Sequence, residues 1–336
     1  MVIKIMDRNE INKKMYVLKA ISILFVVLAH TNCDLINNSV DFYLVKRLSA
    51  VGVFVFFFLS GYYFKSKKWK NFLINNISGL VVPWLFLGTI NFVFGEIKSG
   101  SSINIFNYIK YILGIGSMYY FCTVLLILKI LMNLLEKKVK KPYVYYLFIC
   151  ISVLSTVFSN EFSDVIQEHT FGIVTPYLNL FNWIGVFSLG CLARNKDYIS
   201  KFADCSRKLK ITVLMFTVLI LIIGYKDCEF GYFGRFSFLC EFGIMLCIGM
   251  FVFSFKKNCL IIRIFENIGK DTLTIYLLHY PLLSVMQKIS LLNGSIFFIF
   301  MRCFICASMI AAFANLVGKY FNNSRFLWVK TLLGIK

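Results

Sequence analysis

Two ionisable side chains lie in the otherwise apolar stretch LKAISILFVVLAHTN, which runs from Leu18 to Asn32. Lys19 and His30 are eleven residues apart, so on a helix they fall on nearly the same face, about 16 Å apart along the axis. An imidazole suits general base chemistry because its unperturbed pKa is near neutral. His30 is therefore a candidate catalytic base. The alternative is a histidine that only hydrogen-bonds a neighbouring helix.

Three further ionisable residues lie within apolar stretches, namely Glu241, His279 and Arg302. An ionisable group in lipid is costly, so each one is a candidate functional residue. We expect Glu241 and Arg302 to form an intramembrane polar pair or to face a polar cavity. We expect His279 either to hydrogen-bond across helices or to act directly in a site.

The composition predicts a membrane protein rather than a soluble one. Of the 336 residues, 59% are hydrophobic and 15% are charged, whereas a soluble chain is about a quarter charged. A net charge of +20 in a soluble chain would suggest nucleic-acid binding. Here the charges cluster between apolar segments, as in membrane loops. We therefore expect the lipid bilayer as a partner and no nucleic acid.

Stretches of the length that crosses a bilayer, roughly 17–25 residues, recur along the chain. They lie near 16–33, 44–63, 72–94, 106–134, 143–159, 177–193, 209–224, 235–254, 271–291 and 296–318. The fourth stretch contains GIGS, from Gly114 to Ser117, which predicts a kink or a break. We expect an all-α integral membrane protein, a bundle of about ten transmembrane helices in one domain over residues 1–336.

The loops between these stretches alternate in basic charge. With the N-terminus inside, the inner segments carry 25 Lys and Arg residues and the outer segments carry five. Because cytoplasmic loops are enriched in Lys and Arg, this split predicts a multi-pass protein of the cell membrane with both termini cytoplasmic. The segment 160–176 contains no Lys or Arg and is predicted to lie outside.

The cysteine pattern predicts packing rather than metal binding. CFIC, which contains Cys303 and Cys306, has the spacing of a metal or redox pair, but it lies in an apolar stretch without a second pair. Small, polarisable cysteines pack well between membrane helices. We expect no metal site.

Several short segments in series resemble the membrane acyltransferase 3 family. They are the stretch from Lys19 to His30, FFFLSG (Phe56 to Gly61), MYYFCTVLL (Met118 to Leu126), VFSLGCLA (Val186 to Ala193) and IGKDTLTIYLLHYPLL (Ile268 to Leu283). The resemblance covers essentially the whole chain. It implies a bundle of ten or so helices that transfers acyl groups, commonly acetyl from acetyl-CoA, to cell-surface glycans.

The resemblance also assigns roles and shows two departures. His30 matches the histidine held essential in the family, and Lys19 stands where the family usually has an arginine, whose planar fork a lysine cannot reproduce. The family often has an R-x-x-R pattern before a proline of the third helix. Asn76 and Gly79 stand there in this chain, ahead of Pro83.

We expect donor or substrate contacts from further residues in and beside the matched segments. They are Ser60, Gly61, Lys65, Lys67, Lys68, Tyr120, Tyr276 and His279. For the lysines, the alternative is an ordinary positive-inside cluster. For Gly61, the alternative is a small-residue packing seam between helices.

The sequence thus predicts an integral membrane O-acetyltransferase with acetyl-CoA as co-substrate and no bound cofactor. The acceptor would be a hydroxyl of a cell-surface polysaccharide or of its lipid-linked precursor. His30 would either take the acceptor's proton or first carry the acyl group, and Lys19 would line the same passage. Two alternatives stay open: a polysaccharide exporter or transporter, and a succinyltransferase of the same family. An internal repeat, frequent in transporters, is not seen.

Overall fold

The computed structural model describes residues 8–31, 39–138, 142–159, 161, 165, 168–170, 175–199, 205–227, 234–254, 260–288, 296–321 and 327–335. All regular structure in these ranges is helical, which confirms the all-α class. The helices are α1 (Arg8–Ala29), α2 (Ser39–Tyr63), α3 (Trp69–Asn76), a π-helical turn (Ile77–Val81), α4 (Val82–Ser99), α5 (Ile105–Leu113), α6 (Tyr120–Lys138), α7 (Tyr143–Val157), α8 (Leu180–Asn195), α9 (Arg207–Asp227), α10 (Ser237–Ser254), α11 (Leu260–Lys270), α12 (Thr272–Met286), α13 (Ile296–Tyr320) and α14 (Leu327–Leu333).

Five helical segments in the described ranges are long and apolar enough to cross a membrane. They are Phe42–Tyr63, Trp69–Ser99, Arg207–Tyr225, Ser237–Ser254 and Phe297–Tyr320. Two further apolar helices, α7 and α12, are shorter. The chain is therefore a helical membrane protein, and the count of about ten spans stays a prediction.

The predicted interruption of the fourth stretch is confirmed. Residues 106–134 form two helices, α5 and α6, separated by a turn in which Gly114 has φ 84° and Gly116 has φ 73°. These left-handed conformations suit glycine because it has no Cβ. The Ser117 hydroxyl donates to the Tyr111 carbonyl at 2.6 Å and fixes the turn. The turn brings Met118 beside α12.

Helix α1 lies among many partners, since it packs against α2, α10, α11, α12 and α13. It ends at Ala29, four residues earlier than predicted. His30 and Thr31 follow in a turn, where the Thr31 hydroxyl donates to the Leu28 carbonyl at 2.7 Å and satisfies a helix-end acceptor. The sequence predicted that His30 lies within the helix, but His30 follows directly after the last helical residue.

Helices α2 and α8 cross at two facing glycines. A Cβ added to Gly61 would lie 1.9 Å from the Phe187 carbonyl oxygen, and one added to Gly190 would lie 1.9 Å from the Phe58 carbonyl oxygen. Glycine at both positions lets the two backbones approach closely, as is common in membrane helix packing. Gly61 thus lies in a packing seam, which is the alternative considered for it rather than the predicted substrate contact.

Glu241 has an ion partner other than the predicted one. Its Oε1 lies 3.9 Å from Nη1 of Arg47 on α2, and the same Nη1 donates to the Ser237 hydroxyl at 3.1 Å. Arg302 is also buried, on α13, but the described residues show no ion pair between it and Glu241. The expected Glu241–Arg302 pair is therefore replaced by an Arg47–Glu241 pair, because α2 packs directly against α10.

A proline inside α12 explains a second polar contact between helices. Pro281 has no N–H, so the Leu277 carbonyl has no intrahelical donor. The Asn91 side chain on α4 donates to that carbonyl at 2.7 Å and to the Tyr119 hydroxyl at 2.6 Å. These bonds tie α12 to α4 and to the start of α6. They fix the segment that carries Tyr276 and His279.

The glycine seam generates the first prediction. Gly61→Ala should lower the stability of the folded protein by at least about 1–3 kcal/mol, the usual cost of overpacking, because its methyl group would meet backbone. Gly95→Ala on α4 is the matched control, since nothing lies within 4 Å of a Cβ there. Thermal unfolding of both detergent-purified variants, followed by size-exclusion chromatography, measures the difference. Equal melting temperatures would contradict the seam.

Candidate active site

Two cavities of about 650 Å³ each lie along helix α1. Asn12, Tyr16 and Lys19 of α1 line the first cavity, and Ala29 with His30 line the second. Because these residues come from opposite ends of one helix, the cavities lie toward opposite ends of α1. We call the first the lysine cavity and the second the histidine cavity.

The lysine cavity concentrates positive charge. Its described lining contains no acidic residue and includes four lysines: Lys19, Lys65, Lys67 and Lys129. The Lys19 ammonium lies 4.7 Å from the ring centroid of Tyr63 and 5.2 Å from that of Tyr16, which are cation–π distances. Both aromatic contacts place Lys19 at the cavity wall. Such a site suits a ligand that carries phosphates.

The backbone beside these lysines is anchored to α6. The Lys67 amide donates to the side-chain oxygen of Asn133, a fully buried residue, at 2.8 Å. This bond holds the segment between α2 and α3 against the cavity. Ser60 lines the same cavity, whereas Lys68, the residue just before α3, does not belong to its lining. Lys19, Ser60, Lys65 and Lys67 are thus brought together as expected.

The two departures from the arginine pattern also face this cavity. Asn76 and Gly79 both belong to the lining, close to where the π-helical turn joins α3. The positions at which the family often carries arginines therefore face the same space as the four lysines. Lys129 was not singled out from the sequence, although a lone lysine in the apolar stretch of α6 was a detectable signal.

The histidine cavity is lined by aromatic and hydroxyl groups around His30. Besides His30, its polar lining consists of Lys46, Ser49, Tyr111, Ser117, Tyr120, Thr175, Tyr177, Tyr276 and Tyr280. Tyr120, expected among the donor or substrate contacts, lies here and not beside the lysines of the first cavity. Tyrosines offer a flat apolar face and a hydroxyl together. The cavity therefore suits a ligand that itself carries hydroxyl groups.

His279 lies behind His30, with 5.0 Å between the ring centroids. It is fully buried, and its Nδ1 is 2.7 Å from the Tyr276 carbonyl oxygen and 3.2 Å from that of Ile275. Because carbonyl oxygens only accept, Nδ1 carries the proton. The Nε2 atom has no hydrogen-bond partner among the described residues. In the neutral ring, that nitrogen is an unused acceptor, and the ring itself packs next to that of His30.

Val26, Val53 and Tyr276 line both cavities and separate them. Their exposed fractions are 2%, 5% and 6%, so the three side chains are buried between the two spaces. The Tyr276 hydroxyl donates to the Met118 carbonyl in the turn before α6. Lys19 and His30 therefore line two different cavities, and not the one passage that their spacing predicted. Val26 lies between Lys19 and His30 in the sequence of α1, and together with Val53 and Tyr276 it forms the wall between the two cavities.

The sequence matches the acyltransferase 3 family profile, described as an acyltransferase domain, over residues 12–316. No curated protein matches the chain, and no solved structure matches it. The matched range includes Lys19, His30, the wall residues and His279, so it covers both cavities. The chain belongs to the acyltransferase 3 family, and its function is that of a membrane acyltransferase.

Proposed function

We propose that this protein transfers an acetyl group from acetyl-CoA to a hydroxyl of a cell-surface polysaccharide or of its lipid-linked precursor. The observation that carries the proposal is the placement of one imidazole, His30, across a three-residue wall from a cavity lined by four lysines. A phosphorylated donor and a hydroxyl-bearing acceptor would each have a cavity suited to its chemistry.

The basic loops give the proposed orientation. Lys65 and Lys67 belong to one of the segments that the loop charges predict to lie inside, and they line the lysine cavity. That cavity would open to the cytoplasm, where acetyl-CoA is made, and the histidine cavity would open to the outer side. We propose a multi-pass protein of the cell membrane with about ten spans and cytoplasmic termini.

The lysines would hold the phosphates of the donor. A lysine ammonium binds phosphate as a compact point charge, while an arginine binds it as a planar fork. Lys65, Lys67 and Lys129 face the same space as Asn76 and Gly79, where the family often has arginines. We therefore propose that these lysines supply the charge that the R-x-x-R pattern supplies elsewhere in the family.

His30 would act as the general base on the acceptor. A ring nitrogen of His30 takes the proton of the acceptor hydroxyl as its oxygen attacks the thioester carbonyl. The carbon–sulfur bond then breaks, the acceptor leaves as an acetyl ester, and the sulfur of CoA takes the proton back from the imidazolium. Each atom and proton is thus accounted for without a bound cofactor.

His279 would support this proton transfer from behind. Its Nδ1 proton is committed to backbone carbonyls, so its Nε2 lone pair is the group that could accept a hydrogen bond from His30. Such a bond would set which nitrogen of His30 is unprotonated and faces the acceptor. In this proposal His279 is a positioning residue.

We predict that His30→Ala lowers acetyl transfer by at least about 10²–10⁴-fold, the usual contribution of a general base. The protein should still fold and insert, because His30 lies at the end of α1 in a cavity wall. The measurement is transfer from labelled acetyl-CoA in membranes, normalised to folded protein. His169→Ala is the matched control, since His169 is exposed and lies in neither cavity lining.

Wild-type transfer in His30→Ala would contradict the mechanism. A wild-type chain that transfers no acetyl group, while export of polysaccharide depends on it, would favour the exporter instead. Loss of transfer in His169→Ala as well would show that the assay reports folding rather than chemistry.

For His279 we predict different effects on turnover and on donor binding. His279→Asn keeps a donor near the Tyr276 carbonyl but leaves no acceptor near the former Nε2, whereas His279→Gln places an amide oxygen there. His279→Asn should therefore reduce kcat about tenfold with little change in the KM for acetyl-CoA, and His279→Gln should retain more of the wild-type kcat than His279→Asn does. Full activity of His279→Asn would show that His279 has only a structural role, as a hydrogen-bond donor to carbonyls of α12.

A further inference from the structure

We propose that the wall between the cavities, formed by Val26, Val53 and Tyr276, acts as a collar that restricts the donor to a small, uncharged acyl group. The inference rests on the proposed function, in which a thioester that enters from the lysine cavity must reach His30. Because the collar residues are the lining shared by the two cavities, the acyl group would have to pass them. The collar, rather than the room in either cavity, would then select the acyl group.

The valine side of the collar is held by a close helix contact. Gly52, the neighbour of Val53, lies against α1 so tightly that an added Cβ would be 2.7 Å from the Ser22 carbonyl oxygen and 3.0 Å from Cγ2 of Val26. The two valines therefore cannot separate without moving α1 away from α2. Each is also β-branched, so its χ1 angle has few alternatives in a helix.

The tyrosine side of the collar is held by its hydroxyl. Tyr276 donates to the Met118 carbonyl, and its ring centroid lies 5.5 Å from that of Phe121 and 6.0 Å from that of His279. The hydrogen bond and the two ring contacts hold the ring between the two cavities. The collar is thus fixed by α1 and α2 on one side and by α12 on the other.

The chemistry of the collar would discriminate by width and by charge. A branched acyl group would meet two stiff valines, and a misfit of about one methylene typically costs 10–200-fold in rate. A succinyl group carries a carboxylate, which would have to leave the lysines and pass between two valines that offer it no hydrogen bond. Succinyl-CoA should therefore bind through its CoA portion and inhibit, but not donate.

The test compares transfer from acetyl-CoA, isobutyryl-CoA and succinyl-CoA in membranes. The widening variant is Val26→Ala/Val53→Ala. The matched control is Val27→Ala/Val55→Ala, which removes the same atoms from the same two helices at buried positions outside both cavity linings. Wild type and control should prefer acetyl over isobutyryl at least tenfold. The widened variant should reduce that preference at least tenfold.

Two results would overturn the inference while leaving the proposed function intact. One is acetyl transfer with the same preference in the widened and the control variants. The other is a wild-type protein that uses isobutyryl-CoA or succinyl-CoA as fast as acetyl-CoA. Failure of the proposed function has a different signature, because the wild-type protein would then transfer no acyl group from any of the three thioesters.

Discussion

The tight contact between α1 and α2 is the constraint on which the site depends. At Gly52 the two backbones come so close that even a methyl group would meet the Ser22 carbonyl. This contact holds Val26 and Val53 between the two cavities. Together with Tyr276, these valines form the lining that the two cavities share. Because α1 and α2 are close, the cavity lined by four lysines and the cavity lined by His30 stay distinct, and we propose that each binds one substrate.

Buried hydrogen bonds then hold α12 against this helix pair. In a medium without water an unpaired polar group is costly, so each contact between polar groups favours one arrangement of the helices. Asn91 donates to the Leu277 carbonyl, which has no intrahelical donor because of Pro281, and Tyr276 donates to the Met118 carbonyl in the turn before α6. An ion pair between Arg47 and Glu241 links α2 to α10. The unused Nε2 of His279 departs from this pattern, and it lies beside His30.

Local features of the sequence allowed the helical class and the break near Gly114 to be predicted, and the family resemblance pointed to several residues that line the two cavities. Hydropathy reports apolar helices, and glycine-rich turns report where a helix stops. The partners of buried charges could not be predicted. Arg47 and Glu241 are far apart in the sequence, and nothing in it distinguishes Arg47 from other basic residues as the partner of Glu241. The packing of α2 against α10 brings the two residues together.

The spacing of Lys19 and His30 on one helix also did not predict which cavity each residue lines. The eleven-residue interval correctly places both on α1 or at its end, but a shared face does not make a shared passage. Whether two residues line one space depends on what the neighbouring helices insert between them. Here Val53 comes from α2 and Tyr276 from α12. Neither contribution has a signal in the sequence of α1 itself.

We propose that the two cavities are reached from opposite sides of the membrane and meet at one wall. Ser60 and Ser117 provide a matched pair, since both are half-buried serines and each lines one cavity. In a background without the native cysteines, Ser60→Cys and Ser117→Cys would be treated with a membrane-impermeant thiol reagent from either side. The account predicts labelling of Ser60→Cys only from the cytoplasmic side, slowed by CoA. It predicts labelling of Ser117→Cys only from the outer side, unaffected by CoA. Labelling of both positions from the same side would contradict it.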